Sequence, residues 1–228
     1  MARLLVHVEG QTEEAFVNQI LRDYLRPCGY EAVSARIVNK ARSRRRRGGI
    51  RSWPSVKKEI INHLKEDPSC IATTMVDYYA LPSEGEAAWP GRKEAMSLIS
   101  IENALKVERA MLDEVGAHIN PRRFMPFIVM HEFEGLLFSD CTAFSRGIGR
   151  PGLQDAFQNI RNQFPTPEDI DDSPLTAPSK RVEELVPGYE KPLLGSLAAL
   201  EIGLSRIRQE CPHFNEWVKQ LEDRAEID

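Results

Sequence analysis

Cysteine is scarce in this 228-residue sequence, and its spacing excludes the common cysteine-built sites. Cys28, Cys70, Cys141 and Cys211 form no Cys-x-x-Cys pair and show no zinc-finger spacing. They are typical of buried thiols in a reducing compartment. An apolar run of about 20 residues, which a membrane-spanning helix requires, is also missing. The opening stretch MARLLVHVEG lacks the apolar core and cleavage site of a signal peptide, so we expect a cytoplasmic globular protein.

Several catalytic motifs are absent as well. No Gly-x-x-x-x-Gly-Lys loop occurs, so the chain is not expected to bind and hydrolyse ATP by itself. The pattern Gly-x-Ser-x-Gly is missing too, which removes support for a serine hydrolase of the nucleophile-elbow type. The stretch HEFEG at residues 131–135 lacks the second histidine of the HExxH zinc motif.

Positive charge is concentrated in one stretch, KARSRRRRGGIR at residues 40–51, which we call the basic segment. It carries seven positive charges and no negative charge, and the rest of the chain has a net charge of −11. Such a block can neutralise several nucleic-acid phosphates without reading sequence. A solvated loop with no special role is the alternative interpretation. The residues predicted to contact nucleic acid are Arg42, Arg44, Arg45, Arg46, Arg47, Arg51, Lys180 and Arg181.

Strand and helix patterns alternate in the first 140 residues. Strands are predicted over residues 4–8, 32–38, 70–76 and 124–130, with Pro126 indicating an edge or a bulge in the last. Helices are predicted over residues 12–25, 54–65 and 92–115, the last as one helix or two. This order predicts an α/β domain over residues 1–140, with a mostly parallel open sheet flanked by helices.

Residues 141–228 are predicted to form a helical region that packs on this domain or continues it. Helices are predicted over residues 135–138, 153–164 and 193–207 and in the final stretch PHFNEWVKQLED. Proline and aspartate are frequent in FPTPEDIDDSPLTAPSKR, residues 164–181, and predict a long connection there.

Acidic residues follow three of the predicted strands. Glu9 follows the first strand, Asp77 follows the third, and Glu132 and Glu134 follow the last. The carboxyl ends of parallel strands form the ligand-binding edge of such sheets, so we expect these acids to converge. Clustered carboxylates repel one another unless a cation neutralises them, and all-oxygen ligation favours Mg²⁺ or Mn²⁺. The sequence therefore predicts a metal site formed by Glu9, Asp77, Glu132 and Glu134.

Each of these acids also has an ordinary structural explanation. The stretch Glu9–Thr12 fits a strand end, a turn and a helix N-cap at Thr12, with Glu13 favoured by the helix dipole. Asp77 fits a turn. Glu132 and Glu134 share a face on a strand but diverge on a helix, and on a helix only one of them need bind a metal. The joint occurrence at three strand ends favours the metal site.

Three motifs resemble those of Toprim domains, the topoisomerase and primase fold also used by overcoming-lysogenisation-defect nucleases. VHVEGQTEEAFV is similar to the first Toprim motif, in which a glutamate ends the first strand and a glycine follows. TTMVDYYALP lies where Toprim domains carry Asp-x-Asp, and VMHEFEGLLFSD lies where related nucleases carry a further acidic motif. Nearly the whole chain, including PSKRVEELVPGYEKPLLGSLA and CPHFNEWV, is similar to the uncharacterised bacterial family called domain of unknown function 4276, which is grouped with Toprim-like proteins.

This resemblance implies roles for individual residues. Glu9 matches the metal-associated Toprim glutamate, which acts in acid–base catalysis in some members, and Glu13 matches the second acid of a Glu-x-x-x-Glu form. Asp77 matches the first acid of Asp-x-Asp, whereas Tyr79 stands where the second is expected. The acids that can replace it are Glu84, Glu132 and Glu134. The resemblance also implies a defence system in which a separately encoded ATPase is the partner.

We therefore expect a Mg²⁺- or Mn²⁺-dependent phosphodiesterase, in particular a nuclease acting on DNA or RNA. The predicted catalytic residues are Glu9, Glu13, Asp77, Glu132 and Glu134. Two alternatives stay open: a non-catalytic nucleic-acid-binding or protein-binding module that keeps the fold, and a phosphohydrolase acting on a nucleotide. His131 and Lys191 are weaker candidates, because such residues are more often structural or surface-exposed. A homo-oligomer is also left open.

Overall fold

The computed structural model describes residues 2–38, 50–95, 100–170 and 176–225. The predictions for Arg42, Arg44, Arg45, Arg46 and Arg47 lie outside the described residues. Within the described ranges, helices flank a parallel sheet and a helical C-terminal region follows it. The predicted α/β fold class is therefore confirmed.

In the described residues, five strands form the sheet. They are β1 Arg3–Val8, β2 Ala32–Ile37, β3 Cys70–Asp77, β4 Phe124–Met125 and β5 Ile128–Val129. The strand order is β2–β1–β3–β4, and β5 pairs with β3 beyond β4. All the pairings are parallel, so the carboxyl ends of β1, β3 and β5 lie at the same edge of the sheet.

The last predicted strand is divided between β4 and β5, at Pro126. Proline has no backbone N–H with which to continue the ladder. The Thr74 side chain on β3 closes this gap: its hydroxyl accepts a hydrogen bond from the Phe127 N–H and donates one to the Phe127 carbonyl, both at 2.9 Å. Pairing with β3 then resumes in β5, which leads the chain to the carboxyl edge.

Helices cover both faces of the sheet. They are α1 Gln11–Phe16, α2 Arg22–Leu25, α3 Trp53–Glu66, α4 Arg92–Ala95, α5 Ser100–Gly116, α6 Glu134–Leu137, α7 Cys141–Gly147, α8 Gln154–Arg161, α9 Pro178–Leu185, α10 Ser196–Ile202, α11 Leu204–Glu210 and α12 Pro212–Ala225. One apolar cluster joins β1 and α1 to the C-terminal helices, and a second lies beneath α3 and α5. Among the helices of the described ranges, none has both the length and the apolar character needed to cross a bilayer.

Three helical regions differ from the sequence prediction. The helix predicted over residues 193–207 is divided at Gly203, which has a φ of 77°, into α10 and α11. Helix α9 begins at Pro178, inside the predicted connection, because proline fits the first turn of a helix. The apolar pattern does not predict α7. This helix depends on its cap, since the Asp140 carboxylate accepts a hydrogen bond from the Ala143 N–H at 2.8 Å.

We predict that Thr74→Val lowers the free energy of unfolding by ~1–3 kcal/mol, because it leaves the buried Phe127 N–H without its partner. Urea denaturation followed by circular dichroism measures this loss. Thr142→Val, at a half-buried position on α7, is the control and should change stability by less than ~0.5 kcal/mol. Equal effects of the two substitutions would contradict the bridging role of Thr74.

Candidate metal centre

A cleft of about 530 Å³ opens at the carboxyl edge of the sheet. Glu9 follows β1, Asp77 ends β3, and Glu134 begins α6 shortly after β5. Glu13 on α1 and Lys191 add to the polar lining. The remaining lining residues are Gly10, Gln11, Thr12, Ile37 and Pro192. Acids that are distant in sequence thus surround one cleft.

Asp77 connects the segments that form the cleft. Its backbone N–H donates to Glu9 Oε2 at 3.3 Å, and its Oδ1 accepts a hydrogen bond from the Phe133 N–H at 2.9 Å. The second bond holds the turn before α6 against the end of β3. Glu134, the next residue, consequently enters the cleft, where its side chain is buried.

Glu13 both caps a helix and lines the cleft. Its Oε2 accepts a hydrogen bond from the Gly10 N–H at 2.9 Å, as in a capping box. The helix starts at Gln11 with Gly10 as its N-cap, so the prediction of Thr12 as the N-cap is wrong. Glycine has no side chain that could accept from the N–H groups of the first turn, so the Glu13 bond to the Gly10 N–H is the half of a capping box that forms here. The capped helix start and the acidic cleft therefore share one turn.

Glu132 and Glu134 have different partners. Glu132 Oε2 accepts a hydrogen bond from the Ser179 N–H at 2.9 Å, in the first turn of α9, where the helix dipole favours a carboxylate. Glu134 is the first residue of α6 and faces the cleft, so the two side chains diverge as on a helix. Lys191 still contacts both: its Nζ is 3.1 Å from Glu134 Oε2 and 3.6 Å from Glu132 Oε1.

Burial and mutual repulsion disfavour ionisation of these acids. Burial raises the pKa of Glu9 to about 7, and burial with the charges of Glu9 and Glu134 raises the pKa of Glu13 to about 7. Burial, followed by repulsion from Glu9 and Glu13, raises the pKa of Asp77 well above its usual range. Burial also raises the pKa of Glu134, although the nearby Lys191 ammonium opposes this. The cleft therefore favours bound protons or an added cation near neutral pH.

Among the described residues that line the cleft, Lys191 carries the positive charge. Burial alone would lower its pKa, but the carboxylates of Glu134, Glu132 and Asp77 raise it. Lys191 begins a π-helical turn, Lys191–Gly195, which packs closely on α1: a Cβ on Gly195 would lie 3.1 Å from Thr12 Cγ2. From the sequence, Lys191 is only a weak candidate for the site. The one argument that could have placed it in the cleft is that a buried acidic cluster needs a counter-charge.

Tyr79 lies in the turn that follows β3. Its ring centroid is 5.4 Å from that of His131, and its N–H donates to the His131 carbonyl at 3.2 Å. His131 has a φ of 60°, which fits the tight turn after β5, and burial lowers its pKa to about 4. Glu84 lies at the surface, where it pairs with Lys93 at 3.7 Å. Neither Tyr79 nor Glu84 is among the residues that line the cleft in the described ranges.

The described members of the predicted nucleic-acid set lie in local contacts. The Arg51 guanidinium pairs with Glu59. Lys180 Nζ lies 2.6 Å from Glu183 Oε2 at the surface. Arg181 Nε donates to the Thr176 carbonyl at 2.8 Å.

The described residues that flank residues 39–49 of the chain, Val38 and Arg51, lie close to the end of β1. The Val38 N–H donates to the Val8 carbonyl at 2.8 Å, and the Arg51 N–H donates to the Val38 carbonyl at 3.2 Å. Val8 directly precedes Glu9, and Ile37 lines the cleft. The segment thus leaves and rejoins the described structure beside the acidic edge.

The fold and cleft define an α/β protein with buried acids at the carboxyl edge of a parallel sheet. Residues 8–222 match the family described as domain of unknown function (DUF4276). The chain belongs to this family, whose match begins at the last residue of β1 and covers strands β2 to β5, the cleft and nearly all of the C-terminal helices. Neither a curated protein nor a solved structure matches the chain.

We predict that Glu9→Gln raises the free energy of unfolding at about pH 8 without divalent metal by ~1–3 kcal/mol. A carboxyl group with a raised pKa in the folded protein favours folding at low pH, and this contribution is lost as the pH rises through the folded pKa. Glu9 should therefore contribute a fall in wild-type stability between pH 4.5 and about 7, and this contribution should be missing in the variant, whose stability relative to wild type then rises across that range. Denaturant titrations across this range measure both effects. Glu14→Gln on the same turn is the control, and a Glu9→Gln slope equal to the wild-type slope would count against the electrostatic description.

Proposed function

We propose that this protein is a metal-dependent phosphodiesterase, in particular a nuclease. The observation that carries the proposal is that Glu9, Asp77 and Glu134, from three strand ends, line one cleft. Buried carboxylates in this number are costly without a cation, and Lys191 supplies one ammonium group. A divalent cation would remove the remaining repulsion.

The side chains present fit Mg²⁺ or Mn²⁺. Glu9, Asp77 and Glu134 would hold the ion, since they offer oxygen ligands, and no histidine or cysteine is among the described residues that line the cleft. Such an ion polarises a phosphate and activates water. Glu132 would act indirectly, by positioning Lys191 and the start of α9.

Glu13 is the residue best suited to move a proton. Burial raises its pKa to about 7 in the metal-free cleft, and a cation held by Glu9 and Glu134 would remove their part of this rise, which favours the carboxylate form that acts as a general base. The hydrogen bond from Gly10 fixes one carboxylate oxygen while the side chain lines the cleft. Lys191, which lines the same cleft, would neutralise a substrate phosphate.

The attachment of the basic segment beside Glu9 supports a nucleic-acid substrate. Its seven positive charges would hold the phosphate backbone near the cleft. More specifically, the proposal is that the protein is related to Toprim nucleases and acts with a separately encoded ATPase as its partner. A nucleotide is the second candidate substrate, because a cleft of about 530 Å³ has the size of a small-ligand pocket.

We predict that Glu9→Gln and Asp77→Asn each reduce Mn²⁺-dependent cleavage by at least about 100-fold, because each loses a ligand. The assay offers single-stranded DNA, duplex DNA, RNA and nucleoside triphosphates. Glu14→Gln, with the same chemical change outside the cleft lining, should retain full activity.

Metal binding is measured in parallel by thermal stability. Mn²⁺ at about 100 times its dissociation constant should stabilise the wild type by ~2.7 kcal/mol. Wild-type protein that neither binds Mn²⁺ nor cuts any of these substrates would contradict the proposal. Mn²⁺ binding with turnover of nucleotides alone would favour the second candidate.

We predict that replacing Arg44, Arg45, Arg46 and Arg47 by alanine weakens nucleic-acid binding and lowers the slope of log affinity against log salt on duplex DNA by up to ~3.6, about 0.9 for each charge. Fluorescence anisotropy over a salt series measures the slope. Turnover of a small phosphodiester such as bis(p-nitrophenyl) phosphate should stay unchanged, because the acids of the cleft are intact. An unaltered slope would remove the basic segment from the nucleic-acid interface.

A further inference from the structure

A second group of metal-ligating side chains lies between β1 and α3. His7 comes from β1, and Glu59 and His63 come from one face of α3, where they are four positions apart. One ligand atom from each residue lies within 4.8 Å of the other two. None of the three is among the described residues that line the acidic cleft.

His7 has an unsatisfied nitrogen in this group. The residue is fully buried, and its Nδ1 lies 3.4 Å from the Thr73 carbonyl oxygen. Because a carbonyl oxygen can only accept a hydrogen bond, the ring hydrogen must lie on Nδ1. The lone pair of Nε2 is then available to another partner. Nε2 has no hydrogen-bond partner within the part of the chain that the structure describes, and the same is true of His63 Nδ1. Buried polar atoms without partners are rare and call for an explanation.

Glu59 is held in place by two arginines. One of its carboxylate oxygens accepts a hydrogen bond from Arg36 and the other accepts one from Arg51. Each carboxylate oxygen has more than one lone pair, so these bonds leave room for a metal. The arginines would act as outer-shell partners that orient Glu59, as the Thr73 carbonyl orients His7.

We propose that His7, Glu59 and His63 form a binding site for a divalent transition metal of the zinc class. Two imidazoles and a carboxylate are ligands that Zn²⁺ accepts, whereas Mg²⁺ prefers oxygen alone. If the three ligand atoms are each 4.8 Å apart, the point equidistant from them lies about 2.8 Å from each atom. Shifts of under about 1 Å would therefore bring the atoms to the Zn–N distance of ~2.0 Å. Three protein ligands leave the fourth position open to water or a substrate atom.

Packing alone is the competing explanation for this group. The His7 and His63 ring centroids are 5.7 Å apart with an interplanar angle of 29°, as in a stacked pair. A stacked pair alone would not bind zinc selectively. Metal affinity therefore separates the two explanations.

The test is a Zn²⁺ titration of the full chain, stripped with EDTA, by calorimetry. With excess Mg²⁺ present to occupy the acidic cleft, we expect one tight equivalent of Zn²⁺ to bind and His63→Gln to weaken its affinity by about tenfold or more. His118→Gln, at an exposed histidine, and Cys28→Ser, at the partly exposed thiol, should leave the affinity unchanged. Glu9→Gln should also leave it unchanged, which keeps this result separate from the function of the acidic cleft.

A Co²⁺ complex of the wild type supplies a second readout that does not depend on how well a variant folds. It should show the visible absorption of a four-coordinate nitrogen and oxygen site, and Zn²⁺ should remove that absorption. Failure of the wild type to bind Zn²⁺ would overturn the proposal. Zn²⁺ binding that survives His63→Gln but is lost in Glu9→Gln would also overturn it, because the ion would then lie in the acidic cleft.

Discussion

Buried carboxylates at the carboxyl edge of the sheet repel one another, and the structure around them counters that repulsion. Backbone N–H groups of Asp77, Phe133 and Gly10 donate hydrogen bonds to the side chains of Glu9, Asp77 and Glu13 respectively. The Lys191 ammonium contacts Glu134. These donors compensate only part of the burial cost, so the pKa values stay raised. Under the proposed function, a bound cation would offset the rest of this cost.

The C-terminal helices contribute to the site as well as to the core. Trp217 on α12 stacks on Phe127 with centroids 4.4 Å apart, and its indole N–H donates to the Thr73 hydroxyl at 2.8 Å. These contacts support β3 and the break between β4 and β5, which together set the positions of Asp77 and Glu134. Lys191 also comes from the C-terminal half of the chain. The cleft thus depends on residues from both of the regions that the sequence distinguishes.

Periodicity predicts the parallel sheet and most helices, because buried strands such as residues 70–76 and amphipathic helices such as 54–65 follow strong local patterns. It also predicts which acids follow the strands. The position of Lys191 cannot be read in this way, since it depends on how the π-helical turn packs on Thr12. The divergence of Glu132 and Glu134 likewise depends on where α6 begins and on the long-range bond to Ser179. The proximity of His7 to Glu59 and His63 could not be predicted from the sequence, because it arises from the tertiary packing of α3 on β1 and no local sequence pattern links these two elements.

The most direct test of the central claim is anomalous diffraction from crystals of the protein soaked in Mn²⁺. We expect an anomalous peak in the cleft within coordination distance, roughly 2.0–2.4 Å, of carboxylate oxygens of Glu9 and Asp77. Glu134 should complete the ligand set, with Lys191 moved away from it. A fully soaked crystal with no peak in the cleft, and with Lys191 still bound to Glu134, would contradict the account.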